Sequence, residues 1–349
     1  MKVALIADPH FGVKKGVDLF LVNQIKYFRE EFVPYLVNNK ITHIFFLGDL
    51  FDNRHHINVK VKDSVYRLFE EDLQQFQIYM LLGNHDTYYR STTNVHSLQF
   101  FKKFSNITVV DNVEKFEVGG RDILMVPWQT DMNAFVKRVA DKNLKRLDVC
   151  LGHFDISGFK LNKKKVSDEG LDSGLFFNNY TLTFSGHFHT RSKSKYGDYE
   201  IIYIGAPYHL TRHDMGENRG FCVLDLDTMR YRFVNSRNTI KYIQVEYPKS
   251  VTRKMIEGNI VDVQVFYDGQ LNEQQLEFYI QKLELYNPAL PPNVLMVNQL
   301  ISSEEGGTVK MKSIRGLMRE YIKGLNLANK SEVFKVMDDL YSEAKNSVV

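Results

Sequence analysis

What the sequence lacks argues against several classes of protein. It contains no apolar run of the roughly 20 residues that a membrane-spanning helix needs. The segment MKVALIADPHF has only five apolar residues in a row before Asp8, too few for a secretory signal, so we predict a first β-strand there. Only two cysteines are present, Cys150 and Cys222, each inside an apolar run. We expect both to be buried free thiols in a reducing compartment, the cytoplasm.

A large excess of charge of one sign is absent as well. The formal net charge of +3 is too small to identify a nucleic-acid-binding protein by itself, although local clusters remain informative. A hydrophobic fraction of 44% and a charged fraction of 25% are typical of globular proteins. The length of 349 residues favours roughly two domains.

One pattern recurs along the first two thirds of the chain. Short apolar segments rich in β-formers each end at a small residue or directly at a side chain that can bind a metal. The segments are VALIA before Asp8 and His10, ITHIFFL before Gly48, Asp49 and Asp52, IYMLL before Gly83, Asn84, His85 and Asp86, DVCL before Gly152 and His153, and YTLTF before Gly186, His187 and His189. Amphipathic stretches at helical spacing separate several of them. This alternation favours α/β layers with ligands at the carboxyl ends of the strands.

The residue types at these ends indicate a metal site. In an extended segment, His187 and His189 would face the same way and Phe188 would point into the core. Imidazoles mixed with carboxylate and amide oxygens suit Mn²⁺, Fe²⁺ or Zn²⁺ better than an all-oxygen calcium cage does. Any one of these residues alone would be interpreted as a surface histidine or a helix cap. Five such ends in order are hard to explain by packing.

The order of these blocks resembles that of the calcineurin-like metallophosphoesterases over residues 1–240. Here the blocks are DPH, GDLFD, GNHD, GH and GHFH. The resemblance implies an α/β fold, a two-layered β-sandwich flanked by helices, and two divalent metal ions bridged by an aspartate. One metal would be bound by Asp8, His10, Asp49 and His189, and the other by Asp49, Asn84, His153 and His187. His85 would be the catalytic histidine, oriented by either Asp52 or Asp86.

The implied chemistry follows from charge. Two cations about 4 Å apart offset the negative charge of a phosphodiester and stabilise the attacking and leaving oxygens. A water that they share becomes hydroxide near neutral pH. We expect Mn²⁺, with Mg²⁺, Fe²⁺ or Zn²⁺ as alternatives. His85 can stabilise the transition state or protonate the leaving oxygen.

Within the family, GDLFDNR resembles the SbcD-type nucleases of double-strand-break repair, and similarity to the recombination endonuclease subunits of large tailed bacteriophages extends over nearly the whole chain. This implies a DNA exonuclease and endonuclease in the host cytoplasm that serves recombination and repair. The chain departs from relatives at NRHHIN, where a proline-serine pair is frequent, so His55 and His56 could contact DNA or belong to a plain loop. The alternative functions are a stand-alone phosphodiesterase on small nucleotides and a DNA-end tether with a vestigial metal site.

Basic clusters and tyrosines near the ligand blocks are candidate DNA contacts. The stretches FKLNKKK and RSKSK follow the His153 and His189 blocks, and two tyrosines follow GNHD. The candidates are Lys163, Lys164, Lys165, Arg191, Lys193, Tyr88 and Tyr89. A solvated lysine loop and ordinary aromatic packing remain the other interpretations.

The C-terminal third lacks the ligand pattern. We predict a nuclease domain over 1–240, a small α/β capping domain over 241–300, a linker over 301–312 and a helical pair over 313–349. The apolar stripes of the pair comprise Ile314, Leu317, Met318 and Tyr321, then Val333, Met337 and Leu340. The resemblance implies that they bind an SMC-like coiled-coil ATPase, with a nuclease homodimer inside a heterotetramer; docking on the chain itself is the alternative. GLNLANKS lacks the second glycine of a phosphate-binding loop, so we expect no ATP bound by this chain alone.

Overall fold

The computed structural model describes residues 1–131, 135–137, 147–160, 165–267, 271–298, 322 and 329–346. The chain divides into two compact units, Met1–Asn298 and Gln299–Val349. The predicted domain boundaries at 240, 300 and 312 remain predictions. Within the described residues, no helix combines the length and apolarity needed to cross a membrane. Cys150 and Cys222 are buried free thiols, as expected.

Three sheets contain all the strands of the described chain. In chain order the strands are β1 (Lys2–Ile6), β2 (His43–Phe46), β3 (Gln77–Leu81), β4 (Ile107–Val110), β5 (Glu114–Val118), β6 (Arg121–Val126), β7 (Leu147–His153), β8 (Tyr180–Gly186), β9 (Ser192–Tyr196), β10 (Tyr199–Tyr203), β11 (Gly220–Asp225), β12 (Arg230–Asn235), β13 (Tyr242–Tyr247), β14 (Ile260–Tyr267) and β15 (Asn293–Asn298). The strand orders are β12-β11-β1-β2-β3-β4, then β5-β6-β7-β8-β10-β9, then β13-β14-β15.

Parallel pairing dominates the centre of each sheet. β1 to β4 run parallel, as do β6, β7, β8 and β10, whereas the outer strands β11, β12, β5 and β9 are antiparallel to their neighbours. The carboxyl ends of parallel strands meet at one edge of a sheet, where α/β proteins bind their ligands.

Side chains along β1 alternate between the two faces of its sheet, so this one strand contributes to two hydrophobic cores. Val3 and Leu5 belong to the core between the two six-stranded sheets, opposite residues such as Leu151 of the second sheet. Ala4 and Ile6 point the other way, into the core beneath the helices. Because both faces are covered, the strand is a continuous hydrophobic run rather than an alternating one. The observed layers confirm the predicted α/β fold with two sheets and flanking helices.

The helices between β1 and β3 pack on the outer face of the first sheet. The bounds of the described helices are α1 (Asp18–Tyr27), α2 (Val33–Asn38), α3 (Val59–Arg67), α4 (Gly174–Phe177), α5 (Arg253–Ile256), α6 (Glu273–Glu284) and α7 (Lys330–Asn346), with π turns at Phe28–Phe32 and Leu68–Asp72, 3₁₀ turns at Ser97–Lys103 and Arg212–Asp214, and a single turn at Val13–Gly16. Asn58 caps α3, because its Oδ1 accepts a hydrogen bond from the Lys60 amide at 2.8 Å.

The third sheet is a small parallel unit with α6 on one face. Val261, Val263 and Val265 of β14 are fully buried and pack with Leu283 of α6. The strand, helix and strand predicted for residues 259–299 correspond to β14, α6 and β15.

Only part of the predicted helical pair lies in the described chain. Val333 and Met337 are half-buried on α7, and Leu340 is exposed. The other predicted partner contacts, Ile314, Leu317, Met318 and Tyr321, lie outside the described residues.

Candidate metal centre

The five predicted strand ends converge at one edge of the two large sheets. The residues following β1, β2 and β3 of the first sheet meet those ending or following β7 and β8 of the second. Two groups among them share no residue, and in each the potential ligand atoms lie within 4.8 Å of one another. They are Asp8, His10 and His189, and Asp49, His153 and His187. A third group at this distance, His10, Asp52 and His85, overlaps the first at His10.

Asn84 extends the second of these groups, and Asp49 connects the second group to the first. The amide oxygen Oδ1 of Asn84 lies 3.0 Å from Nε2 of His153 and 3.0 Å from Nδ1 of His187. Oδ2 of Asp49 lies 3.4 Å from Nε2 of His153 and 3.6 Å from Nε2 of His10. One Asp49 oxygen therefore faces an imidazole of each group.

Glycines make this convergence sterically possible. A Cβ on Gly83 would lie 2.1 Å from Oδ1 of Asp49, and one on Gly48 would lie 2.3 Å from Nδ1 of His153. Real Cβ atoms essentially never approach other atoms so closely. Gly83 is therefore required by close approach between the loops after β2 and β3, and Gly48 by close approach between the two sheets.

The ligand-bearing residues adopt a backbone conformation that side chains other than glycine disfavour. Asp8, His10, Asp49 and His187 have φ values of 52°, 45°, 53° and 84°. Such positions cost free energy and cluster at functional sites. The extended segment expected after β8 is therefore wrong at His187, and His187 and His189 belong to different groups. Phe188, as expected, points into the core, 4.6 Å from the Tyr203 ring.

Crowding of these ionisable groups shifts their pKa values in opposite directions. Burial raises the pKa of Asp8 to about 6, against the opposing effect of His153. Burial, together with the charge of His153, lowers the pKa of His187 to about 3, and burial lowers that of His189 well below its usual value. The last two imidazoles therefore keep free lone pairs at neutral pH, as metal ligands must.

Asp49 and His153 shift each other's pKa values. Burial lowers the pKa of His153. The charge of the Asp49 carboxylate outweighs the effect of burial and raises this pKa to about 9. Burial of Asp49 is likewise outweighed by the charge and hydrogen bond of His153, which hold the carboxyl pKa below its usual range.

The donor set fits divalent cations. Oδ2 of Asp8 is buried and has no hydrogen-bond partner among the described residues. Nε2 of His10 and Nε2 of His189 face each other at 3.0 Å, where both nitrogens can share one cation. Imidazole, carboxylate and amide donors of this kind suit Mn²⁺, Fe²⁺ or Zn²⁺.

His85 lies beside the two groups. Its amide donates to Oδ1 of Asp49 at 2.8 Å, and its ring packs edge-on against His10 with centroids 4.9 Å apart. Its Nδ1 contacts the backbone carbonyl oxygen of Asp52. The Asp52 carboxylate instead faces Nδ1 of His10 at 3.5 Å. Asp52 therefore contacts the His85 ring through its main chain rather than through its carboxylate, and its role in orienting that ring stays a prediction.

Asp86, the alternative to Asp52 as the residue that orients His85, has different contacts. Its carboxylate accepts hydrogen bonds from the amides of Gly83 at 2.9 Å and Leu50 at 3.1 Å, and from the Ser97 hydroxyl at 3.3 Å. Burial raises its pKa to about 7. Asp86 thus ties the loop after β2 to the loop after β3, and its catalytic role stays a prediction.

The candidate DNA contacts have different surroundings. The Arg191 guanidinium stacks 4.5 Å from the centre of the Phe233 ring and donates to the Ile204 carbonyl and the Asn235 side chain, so it has a packing role here. Lys193 is exposed and pairs with Glu200 at 3.8 Å.

The other candidate DNA contacts are exposed or undescribed. The Tyr88 and Tyr89 rings are exposed and lie 4.8 Å apart. Lys165 is exposed, and Lys163 and Lys164 lie outside the described residues.

Trp128 is a site residue that the sequence reasoning did not select. It follows β6, its amide donates to the Leu82 carbonyl at 2.8 Å, and its ring lies 5.2 Å from that of His187. β6 runs parallel to β7, which ends in His153. The strand-end pattern could therefore have identified the residue that follows β6.

Two viral proteins and one solved structure are similar to this chain. Exonuclease subunit 1 of Enterobacteria phage T4 is 26% identical over 360 aligned positions that cover 99% of both chains. Putative phosphoesterase 078R of Invertebrate iridescent virus 3 is 26% identical over 70% of both. A solved archaeal phosphodiesterase aligns with 68% of this chain and 100% of its own, at 14% identity and a TM-score of 0.38. The profile of the calcineurin-like phosphoesterase family matches residues 1–191, which contain every predicted metal ligand, and the chain therefore belongs to this family of metal-dependent phosphoester hydrolases.

Proposed function

We propose that this chain is a two-metal DNA nuclease with exonuclease and endonuclease activity. The position of Asp49 between the two ligand groups is the observation that carries the proposal. Asp8, His10, Asp49 and His189 would bind one cation, and Asp49, Asn84, His153 and His187 the other, with Mn²⁺ as the expected metal. The near full-length similarity to an exonuclease subunit favours DNA as the substrate.

Different residues of the site would have different roles in the reaction. Bound cations supply positive charge to the phosphodiester and acidify a water molecule. The carbonyl oxygen of Asp52 can only accept a hydrogen bond, so Nδ1 of His85 carries the proton of that contact. Nε2 of His85 is then the nitrogen left to face the phosphodiester, and in the imidazolium form it carries the second proton that the leaving oxygen would take. The Trp128 ring packs beside His187, with ring centroids 5.2 Å apart.

The proposal is tested with labelled linear DNA and a small phosphodiester, bis(p-nitrophenyl) phosphate, both with Mn²⁺. The wild-type chain should hydrolyse both, and chelation should stop both. Asp49→Ala should reduce both activities to background and weaken both metal sites, because one carboxylate serves both. Unchanged binding of two Mn²⁺ by Asp49→Ala would refute the bridge.

The alternative functions have distinct outcomes in the same assays. Hydrolysis of small nucleotides without cleavage of DNA would favour a stand-alone phosphodiesterase. Tight binding of DNA ends by a chain that hydrolyses neither substrate would favour a tether.

We further propose that the chain is the nuclease subunit of a complex with an SMC-like coiled-coil ATPase, as a homodimer within a heterotetramer that serves DNA recombination, repair and replication in the host cytoplasm. The similar phage protein is named a subunit. Val336 and Leu340 are 59% and 58% exposed on α7, which leaves apolar surface for a partner. The nuclease, capping, linker and helical-pair boundaries at 240, 300 and 312 are part of this proposal.

Co-expression with the ATPase tests the complex. Leu340→Asp should abolish co-purification, because burying an unpaired charge at an interface costs several kcal/mol. Ser331→Asp adds the same charge to an exposed, non-apolar position of the same helix and should retain the partner. Equal retention by both variants would place the interface elsewhere.

A further inference from the structure

A cavity of about 420 Å³ opens beside the metal centre. The buried side chains of Phe11, Phe51 and Val61 form its floor, and the exposed side chains of Lys15 and His56 stand at its rim. Asp52 is part of its wall, and the same carboxylate lies 3.5 Å from Nδ1 of His10. The cavity is therefore continuous with the ligand group that contains His10.

The rim is held in place by hydrogen bonds within the chain. Oδ1 of Asn53 accepts from the amides of His55 at 2.8 Å and His56 at 2.9 Å, which fixes the loop that presents His56. Oδ1 of Asn58 caps α3. Both asparagine oxygens accept from the backbone, and the exposed side chains of Lys15 and His56 add donor groups at the rim, beside the Asp52 carboxylate of the wall.

Lys15 lies in a strained turn at the rim of the cavity. Lys14 and Lys15 are consecutive left-handed residues with φ values of 56° and 62°, a conformation that costs free energy in residues other than glycine. The turn closes tightly over the cavity floor, because a Cβ on Gly16 would lie 3.0 Å from Cγ2 of Val61. Surrounding contacts thus hold Lys15 at the rim, whereas Lys14 does not line the cavity.

We propose that this cavity binds the nucleobase of a nucleotide adjoining the scissile phosphate, with Lys15 and His56 contacting the neighbouring backbone. The inference rests on the proposed nuclease function. A phosphodiester held by the metal centre carries a nucleoside on each side, and the volume lies in the usual range for small-ligand sites. An apolar floor with two phenylalanines accepts any base without reading its sequence.

The proposal defines a class of substrate. A base enters such a cavity only after leaving its duplex partner, which costs least at single-stranded or frayed ends. The chain should therefore prefer DNA whose nucleotide at the scissile bond is unpaired.

Two pairs of neighbouring residues provide matched variants. The measured quantity is the ratio of kcat/KM for a single-stranded oligonucleotide to kcat/KM for bis(p-nitrophenyl) phosphate, with Mn²⁺. Lys15→Ala and His56→Ala should each lower this ratio about tenfold, as expected for loss of contacts to a bound nucleotide. Lys14→Ala and His55→Ala remove the same side chains one residue away, outside the cavity lining, and should keep the ratio within about twofold.

A complementary change in the DNA identifies the base as the ligand. For the wild-type chain, an abasic nucleotide on one side of the scissile bond should lower kcat/KM about tenfold. Ile57→Trp adds bulk to the cavity lining and should lower kcat/KM for intact DNA. On abasic DNA, the kcat/KM of this variant should equal that of the wild-type chain.

The outcomes separate this inference from the proposed function. If abasic DNA is cleaved as well as intact DNA while Lys15→Ala still lowers the ratio, the cavity binds phosphate and the nucleobase proposal is wrong. Equal effects of Lys15→Ala and Lys14→Ala would also overturn it. If the wild-type chain hydrolyses the small phosphodiester but no DNA, the nuclease proposal fails first, and this inference with it.

Discussion

The metal-bearing edge of the two large sheets and the small sheet β13-β14-β15 use parallel strands in different ways. At the first edge, a Cβ on Gly48 would lie 2.3 Å from Nδ1 of His153 on the other sheet, and the buried ligands contact residues of both sheets. In the small sheet, Val263 is fully buried under α6, but Val294, Leu295 and Met296 of the outer strand are 38%, 39% and 50% exposed. Convergence of two sheets, rather than parallel pairing itself, is therefore what makes an edge suitable for a metal site.

The largest expected effect comes from adding one methyl group at the convergence. Gly83→Ala should displace Asp49, reduce phosphodiesterase activity to background and lower the free energy of unfolding by about 3 kcal/mol or more. In the small sheet region, Gly258 has a φ of 68° and open space around its Cβ position. Gly258→Ala should therefore cost only about 1 kcal/mol of backbone strain and leave activity intact. Chemical denaturation and metal analysis of both variants test the contrast; similar losses would contradict it.

Removing the His85 side chain, which we propose contacts the substrate without binding a metal, should have the next largest effect. His85→Ala should lower kcat about 10²- to 10⁴-fold, the usual contribution of a general acid or base. Its metal content should stay close to that of the wild-type chain, because the ring lies beside the ligand groups. His213→Ala removes an exposed imidazole and provides the control. Loss of metal from His85→Ala would show that His85 is itself a ligand.

The smallest effects should separate the two faces of the small sheet. Val263→Ala removes two buried methyl groups and should lower the free energy of unfolding by about 2 kcal/mol. Leu295→Ala on the outer strand should cost about 0.5 kcal/mol or less, because that side chain is already partly exposed. Denaturation measures both, and Mn²⁺ titration should show unchanged affinity in each. A change in metal affinity would mean that the small sheet is coupled to the metal edge.

The sequence predicted the ligand residues because their signal is local. Each ligand residue lies within a few residues of a strand end, so the course of the backbone alone places it at the edge of the sheets. All seven proposed metal ligands and His85 could be named in this way, and the structure brings them together. Their assignment to two cations came from the family resemblance and stays a prediction.

Roles set by distant partners could not be predicted. Asp86 adjoins His85 in sequence, but its partners Leu50 and Ser97 lie 36 and 11 residues away. Arg191 follows a ligand block like a candidate phosphate contact, yet it packs against Phe233 and Asn235, more than 40 residues later in the chain. The backbone at His187 is left-handed, which the alternation of apolar and polar residues in the sequence could not predict.

Trp128 has a consequence for how the centre can be observed. It is the chain's single tryptophan, and its indole ring lies 5.2 Å from that of His187 and 6.0 Å from that of His153. Emission excited at the red edge of protein absorbance therefore originates beside the second ligand group and nowhere else in the chain. The protein carries an intrinsic optical reporter of its own metal loading, readable in real time without a label.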